Sequence, residues 1–585
     1  MHTVEPDVET DVLIVGSGPA GASAALALST NGVPNMVVTR YSGLADTPRA
    51  HITNQRTMEV LRDLGVEDEV VAKATPQHLM GDTTFCTSLA GEELGRIRSW
   101  GNDPLVKAAH ELASPTRMCD MPQHLMEPVL IDAAVARGTH LRFSTVYKSF
   151  VQDDSGVTVT VEDRLRGDEY TIRARYLIGA DGGRSKVAEH AGLPMGGQIG
   201  VAGSINIVFD ADLTRYTAHR PSTLYWVLAP GATVGGIGAG LVRCVRPWNE
   251  WLIVWGYDVT AGAPDLTTEY AESIVRKLVG DDEIPVTIKS SAAWTVNEMY
   301  AETYASGRVF CAGDATHRHP PSNGLGSNTS VQDSYNLAWK LKHVLDGTAS
   351  PKLLDTYTAE RAPIGRQIVT RANRSIAETA PVFEALDGLS PQTPEQLWAN
   401  IAARKDATEA AREQRAALRE AIAHKVYEFN AHGVDLNQRY DSAAIVPDGT
   451  PDPGFDRDPE LYHQPTSRPG ARLPHAWITS GTRRLSTLDT VGRGRFTLLT
   501  GIGGESWVRA AETCDPRVAT VVIGPGREYE DPYGDWARLS EVADGGALLV
   551  RPDGFVGFRH AAAAASDQAA EELLTDALRR ILGHA

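Results

Sequence analysis

Three glycine-marked turns hold most of the residues that could do chemistry. Gly16-Ser17-Gly18-Pro19-Ala20-Gly21 follows a β-prone run and opens an alanine-rich one. In this G-x-G-x-x-G spacing Gly16 allows a tight turn, Gly18 lets backbone N–H groups approach a pyrophosphate, and Gly21 permits close strand–helix packing. The following helix points its positive end at the phosphates. This predicts a dinucleotide site without separating NAD from FAD, and a ligand-free glycine turn is the plainer alternative. Asp181-Gly182 and Gly313-Asp314 each end an apolar run on an acid beside glycine, and either alone would pass for a surface turn. After the second comes a loop with Gly324, Gly326, Ser327 and Asn328, which can turn several N–H groups toward one anionic edge.

Other candidates carry weaker signals. Where a carboxylate would usually meet the ribose hydroxyls stands Thr39, a weaker partner than an ionised acceptor. Arg40 beside it faces either the adenosine or solvent. His317 and His319 lack a third ligand and read as loop-shaping residues, so no metal is expected. Tyr225, Trp226 and Trp255 line either a ring pocket or a sheet core, and Arg243 and Arg246 either orient a polar substituent or are solvated.

The elements that must position these groups follow from pattern. Residues 11–15, 20–29 and 35–39 read as a βαβ unit, and a strand-rich stretch over 205–258 reads as a mixed or antiparallel sheet. At 302–345 strand, glycine turn and helix return, so the chain is expected to re-enter its first domain. Residues 402–429 are helical by composition, 445–460 are rich in Pro, Gly and Asp, and the remainder alternates short strands with a helical tail. The expected class is α/β: a Rossmann-like nucleotide domain in two parts (1–190 and 301–400), an inserted sheet domain (191–300), a helix and linker (401–465) and a C-terminal unit (466–585).

Taken in order, the G-x-G-x-x-G, Asp-Gly and Gly-Asp motifs resemble those of the single-component FAD-dependent aromatic hydroxylases, nearest the phenol hydroxylase type. The stretches from Pro48 and Leu353 and the C-terminal region extend the likeness over almost the whole chain. The resemblance implies FAD on Gly16, Gly18 and Gly21, with Asp314 on the ribityl chain and Gln123 as a further contact. It implies Asp181 near both FAD and a transient NADH or NADPH, Gly324 to Asn328 along the flavin's pyrimidine edge, and Arg49 at the phosphates or the nicotinamide cofactor. The implied reaction takes NAD(P)H and O2 and hydroxylates a phenol or hydroxy-heteroaromatic ring through a C4a-hydroperoxyflavin. His51 stands where phenol hydroxylases place a carboxylate and is the expected base or hydroxyl-orienting group. The last ~120 residues resemble a thioredoxin-like appendage, but Cys514 has no C-x-x-C partner and predicts no disulfide exchange.

Bulk properties limit the alternatives. The 585 residues exceed one ordinary core, and a net charge of -18 argues against nucleic acid or an anionic membrane as partner. Five cysteines without a C-x-x-C pair suit a reducing cytoplasm, and no secretion signal or membrane span is read. A homodimer is compatible with this reading. Two rival functions use the same fold, a non-oxygenating flavin oxidoreductase and a non-catalytic flavin-binding protein. Within the hydroxylase reading the substrate is either a small phenol or a bulkier polyketide or piericidin-like hydroxypyridine.

Overall fold

The structure is a computed structural model and describes residues 7–228, 239–387 and 393–584. The strand Val8–Val15 ends in four fully apolar, buried residues, as a strand covered on both faces must. It pairs in parallel with Asn35–Val38 on one side and Asp168–Gly179 on the other. Asp168–Gly179 then pairs in parallel with Val309–Cys311, so the chain does return to its first sheet. Val15, Val38, Gly179 and Cys311 thereby end along one edge, and Gly16, Thr39, Asp181 and Asp314 all follow these strand ends. The carboxyl edge of an open parallel sheet is where such folds bind ligands.

Helix Pro19–Thr30 is buried almost along its length, which its alanines permit. It packs against helix Leu325–Leu345, where Ser334 Oγ donates to the Ala20 carbonyl at 2.7 Å.

A second, eight-stranded sheet is built mainly from Met195–Asp210, Ser222–Val227, Gly240–Arg246, Glu250–Tyr257 and Thr287–Ala301. Two of its strands, Asp82–Cys86 and Glu93–Arg98, come from within the span expected to form only the nucleotide domain. The chain therefore enters this sheet well before residue 191. Part of the expected strand-rich stretch, residues 229–238, lies outside the described residues.

The helical segment breaks into Pro394–Ala403, Glu409–His424 and Val426–Phe429. It covers the second sheet's edge: Leu418 and Ile422 share an apolar cluster with Phe85, and Arg404 pairs with Glu92 at 2.6 Å. The expected linker is tied down rather than loose, with Val446 N–H donating to the Gly557 carbonyl at 2.8 Å. In the C-terminal unit Thr497–Thr500 pairs in parallel with Ala519–Val522 and antiparallel with Ala547–Val550, which pairs antiparallel with Val556–His560. Its core is continuous with the nucleotide domain, and Trp339 meets Phe496 edge-on at 5.8 Å.

Candidate active site

A short ladder positions the base candidate. Ile52–Thr53 pairs antiparallel with Cys119–Asp120, and the Met121 N–H donates to the His51 carbonyl at 2.6 Å. Ala50, just before His51, has φ of 46°, a left-handed conformation unusual outside glycine, and turns the chain into this ladder. His51 Nδ1 lies 3.2 Å from Asp120 Oδ1, and Arg243 Nη2 donates to Asp120 Oδ2 at 2.5 Å. A carboxylate can only accept here, so Nδ1 carries the proton and Nε2 keeps its lone pair.

His51 is 7% exposed and Asp120 1%. Burial, reinforced by the Arg243 charge, pushes the His51 imidazole down to about 4, against the opposing pull of Asp120. Burial works to raise the Asp120 carboxyl, but Arg243 and His51 outweigh it and hold the group below its ordinary range. The result at neutral pH is a neutral imidazole on an ionised carboxylate. His51 Nε2 is buried and, among the described residues, has no hydrogen-bond partner, and neither have Arg243 Nε and Trp226 Nε1. Buried polar atoms left open in this way need a ligand or water to satisfy them.

The second sheet supplies the opposite wall. Register places Arg243 between Leu224 and Leu252, and Leu241 between Trp226 and Val254. Trp226 and Leu224 share an apolar cluster with Ile52, next to His51. Tyr225 and Trp255 point the other way, packing with Ile274 and Leu278 of helix Thr268–Val279, and Tyr225 OH donates to the Arg220 carbonyl. Of the three aromatic candidates only Trp226 is on the site's face. Arg246 pairs with Glu250 at 3.3 Å beside a separate cleft of about 920 Å³, also lined by His124, Asp210 and Lys289, with His51 outside its wall.

The strand-end cradle can be tested for fit to a dinucleotide. A Cβ at Gly16, whose φ is 108°, would lie 2.1 Å from the Ala180 carbonyl oxygen, and one at Gly21 would lie 1.9 Å from that of Gly16. At Gly18 the nearest atom would be 3.8 Å away, leaving that face open. Helices Pro19–Thr30 and Leu325–Leu345 each start at a glycine with no side-chain cap, so their first N–H groups are available to an anion. Asp314 has accessible surface, yet the protein around it raises its carboxyl by desolvation. Arg49 is exposed and its charge acts on both Asp314 and Glu127. Gln123 N–H donates to the Arg49 carbonyl at 2.8 Å, and its side chain reaches Glu127 at 2.5 Å. These features fit FAD.

Other predicted contacts have first tasks within the protein. Asp181 Oδ1 accepts from Ser185 Oγ, and Oδ2 accepts from the N–H groups of Lys186 and Val187 at the start of helix Lys186–His190. Thr39 is buried at the end of its strand, whereas Arg40 is exposed with its guanidinium over Tyr41. Asn328 donates to the carbonyls of Ile52 and Gly324. Ser327 is half-buried, and Gly326 faces His319. His317 Nε2 donates to Asp333 and His319 Nδ1 to the Pro320 carbonyl. Asp120 was missed by the sequence reading, since a lone acid in a two-residue strand has no local signature.

A nucleotide cradle at a parallel sheet edge, with the buried neutral imidazole of His51 packed between it and a second sheet, is the arrangement of a flavoprotein oxidoreductase. Residues 9–372 match the family model described as FAD binding domain, and residues 466–585 match that described as aromatic-ring hydroxylase, C-terminal. The chain is 56% identical to 2,4-dichlorophenol 6-monooxygenase of Delftia acidovorans over 98% of both chains. It is 51% identical to phenol 2-monooxygenase of Pseudomonas sp. (strain EST1001), over 94% of this chain and 90% of that one. The crystal structure of the flavin-dependent monooxygenase PieE in complex with FAD and substrate superposes with a TM-score of 0.95 at 48% identity, over 99% of this chain and 100% of that one. This chain belongs to the FAD-dependent aromatic-ring hydroxylases. It is an FAD enzyme that uses NAD(P)H and O2 to hydroxylate an aromatic ring, and the non-oxygenating and non-catalytic readings are set aside.

Proposed function

We propose that the substrate is a one-ring phenol, with His51 as the acceptor of its hydroxyl proton. One observation carries this: His51 commits Nδ1 to Asp120 and presents Nε2, buried and without a partner among the described residues, beside an apolar wall. A phenol seated there donates to Nε2, which moves electron density into the ring and activates the carbon ortho or para to oxygen. Asp120 keeps the tautomer, and the charge of Arg243 disfavours an imidazolium before substrate arrives. Leu224, Trp226, Leu241 and Val254 keep water from the ring. The names of the two enzymes compared above, which act on 2,4-dichlorophenol and phenol, support a small ring over a polyketide or piericidin-like one.

FAD, when bound, would carry two electrons from NAD(P)H to O2, so that one oxygen atom of O2 is delivered to the ring and the other leaves as water. Gly16, Gly18 and Gly21 would hold its pyrophosphate, Asp314 its ribityl hydroxyls, and the N-terminal N–H groups of Leu325–Leu345 its pyrimidine edge. Arg49 and Gln123 complete the phosphate side. Thr39 and Arg40 would take the adenosine end, and Asp181 would act through the turn it caps.

The C-terminal strand and helix order supports a thioredoxin-like unit without redox function, since Cys514 bonds Thr575 rather than another cysteine. Five free thiols support a reducing, cytoplasmic setting, and sedimentation would test the homodimer. The experiment for substrate class follows NADH and NADPH oxidation against phenols, hydroxypyridines and polycyclic phenols, with product mass read for one added oxygen. Tight coupling to product with monocyclic phenols is expected. Coupling only with polycyclic rings would overturn the reading.

A further inference from the structure

The C-terminal unit holds no thiol pair, yet a continuous run of buried contacts leads from it to the Gly313-Asp314 turn. Phe555 stacks on Tyr440 with ring centroids 4.0 Å apart. Arg361 Nη1 donates to Tyr440 OH at 3.0 Å and to Gln438 Oε1 at 3.1 Å. Arg361 Nε donates to Asp333 Oδ1 at 2.7 Å. The other oxygen, Asp333 Oδ2, accepts from the Gly313 N–H at 3.2 Å and from His317 Nε2 at 2.9 Å. Arg361 and Asp333 are fully buried.

The position of Gly313 leaves little slack. Its φ is 64°, and a Cβ would lie 2.7 Å from Ser330 Oγ and 2.9 Å from the Ala20 Cβ. Asp314 follows directly, so the backbone bond to Asp333 fixes where that carboxylate points. Arg361 is aimed by Tyr440 and Gln438, and these two are anchored by the C-terminal unit and by Gln332, whose Oε1 accepts from Gln438 Nε2 at 2.8 Å. A buried guanidinium that loses one partner shifts toward the others, and rigid packing passes the shift on.

We propose that the C-terminal unit sets the affinity for FAD by holding Arg361 through Tyr440 and Gln438, making Arg361 and Asp333 positioning residues for the Asp314 turn. The unit then serves the cofactor site without touching the cofactor. A purely adhesive domain would instead stabilise the chain and leave flavin affinity alone.

The test uses the full-length chain with Tyr440→Phe and Gln438→Ala, singly and together, and Phe496→Leu as a control that loosens the same interface away from the relay. FAD affinity is read by flavin fluorescence, apoprotein melting by calorimetry, and backbone exchange across residues 309–318 by mass spectrometry. We expect the double variant to bind FAD about tenfold more weakly, the scale of one hydrogen bond to a charged group, with faster exchange at 309–318. Phe496→Leu should lower the melting temperature and leave both readouts unchanged. Unchanged FAD affinity in the relay variants, or an equal loss in the control, overturns the proposal. If the double variant fails to fold, each single variant decides on the same criteria.

Discussion

The backbone N–H of Asn54 donates to Asn328 Oδ1 at 3.0 Å, joining segments 274 residues apart in sequence. Asn328 returns two bonds, to the carbonyls of Ile52 and Gly324. The segment carrying His51 is therefore fastened to the loop read as the flavin's pyrimidine edge. These bonds hold the proposed base and the proposed cofactor loop to one another, as proton transfer and oxygen transfer at one ring would require.

Replacing His51 tests the acceptor. With His51→Gln, kcat for phenol is expected to fall about 10²-fold and to recover as pH approaches the phenol's own pKa. Phenols acidified by nitro or chloro groups should lose less. An equal loss across phenols of different acidity, measured by stopped-flow, would show that His51 only packs.

Asp120→Asn tests the tautomer. The amide can hold Nδ1 in either protonation state, so kcat should drop while FAD affinity stays unchanged. Arg243 is left without its buried partner, at a cost of about 3 kcal/mol of stability. Adding Arg243→Met should restore much of that stability in urea titrations without restoring kcat. A double variant that regains activity would mean Asp120 matters only for folding.

The two glycine environments predict separable defects. Gly16→Ala forces a left-handed residue against the Ala180 carbonyl and should unfold or strongly destabilise the apoprotein. Gly18→Ala meets no close protein atom and should leave apoprotein melting near wild type while weakening FAD binding. Fluorescence titration and apoprotein calorimetry distinguish the two. A Gly18→Ala variant with unaltered FAD affinity would place the pyrophosphate elsewhere.

Acid sensitivity follows from buried neutral histidines. His110 stacks on His432 with centroids 3.7 Å apart, and burial lowers His110 from 6.5 to about 4. The unfolded chain then binds the extra proton, so the stabilisation is complete above pH 6.5 and is lost as pH falls toward 4. For His110 alone the full loss is worth about 3 kcal/mol. Urea unfolding from pH 7 to pH 4.5 should show stability falling with pH, and His110→Gln should flatten that slope. An unaltered slope would assign the acid lability to other groups.

What the sequence revealed depended on whether the signal was local. The Gly16, Gly18 and Gly21 turn was legible because strand, turn and helix lie within one short stretch. The return of the chain at Val309–Cys311 was legible from a second strand and glycine turn. Asp120 lies 69 residues from His51 and meets it through a two-residue ladder, which leaves no periodicity to read. Alternation on Ser222–Val227 separates Trp226 from Tyr225, but only tertiary packing decides which face turns toward the cofactor. Asp181 illustrates the reverse: its motif was plain, and its carboxylate is spent on a helix cap that the motif does not advertise.

The first sheet is completed by Val309–Cys311, paired to Asp168–Gly179 across the whole inserted domain. A chain emerging from the ribosome can fold its opening βαβ unit early, yet it has no Gly313-Asp314 turn to close the cradle until more than half the protein has been made. A flavin cradle that needs this turn is therefore complete only once the chain has passed residue 314, so the opening unit must hold its shape without it.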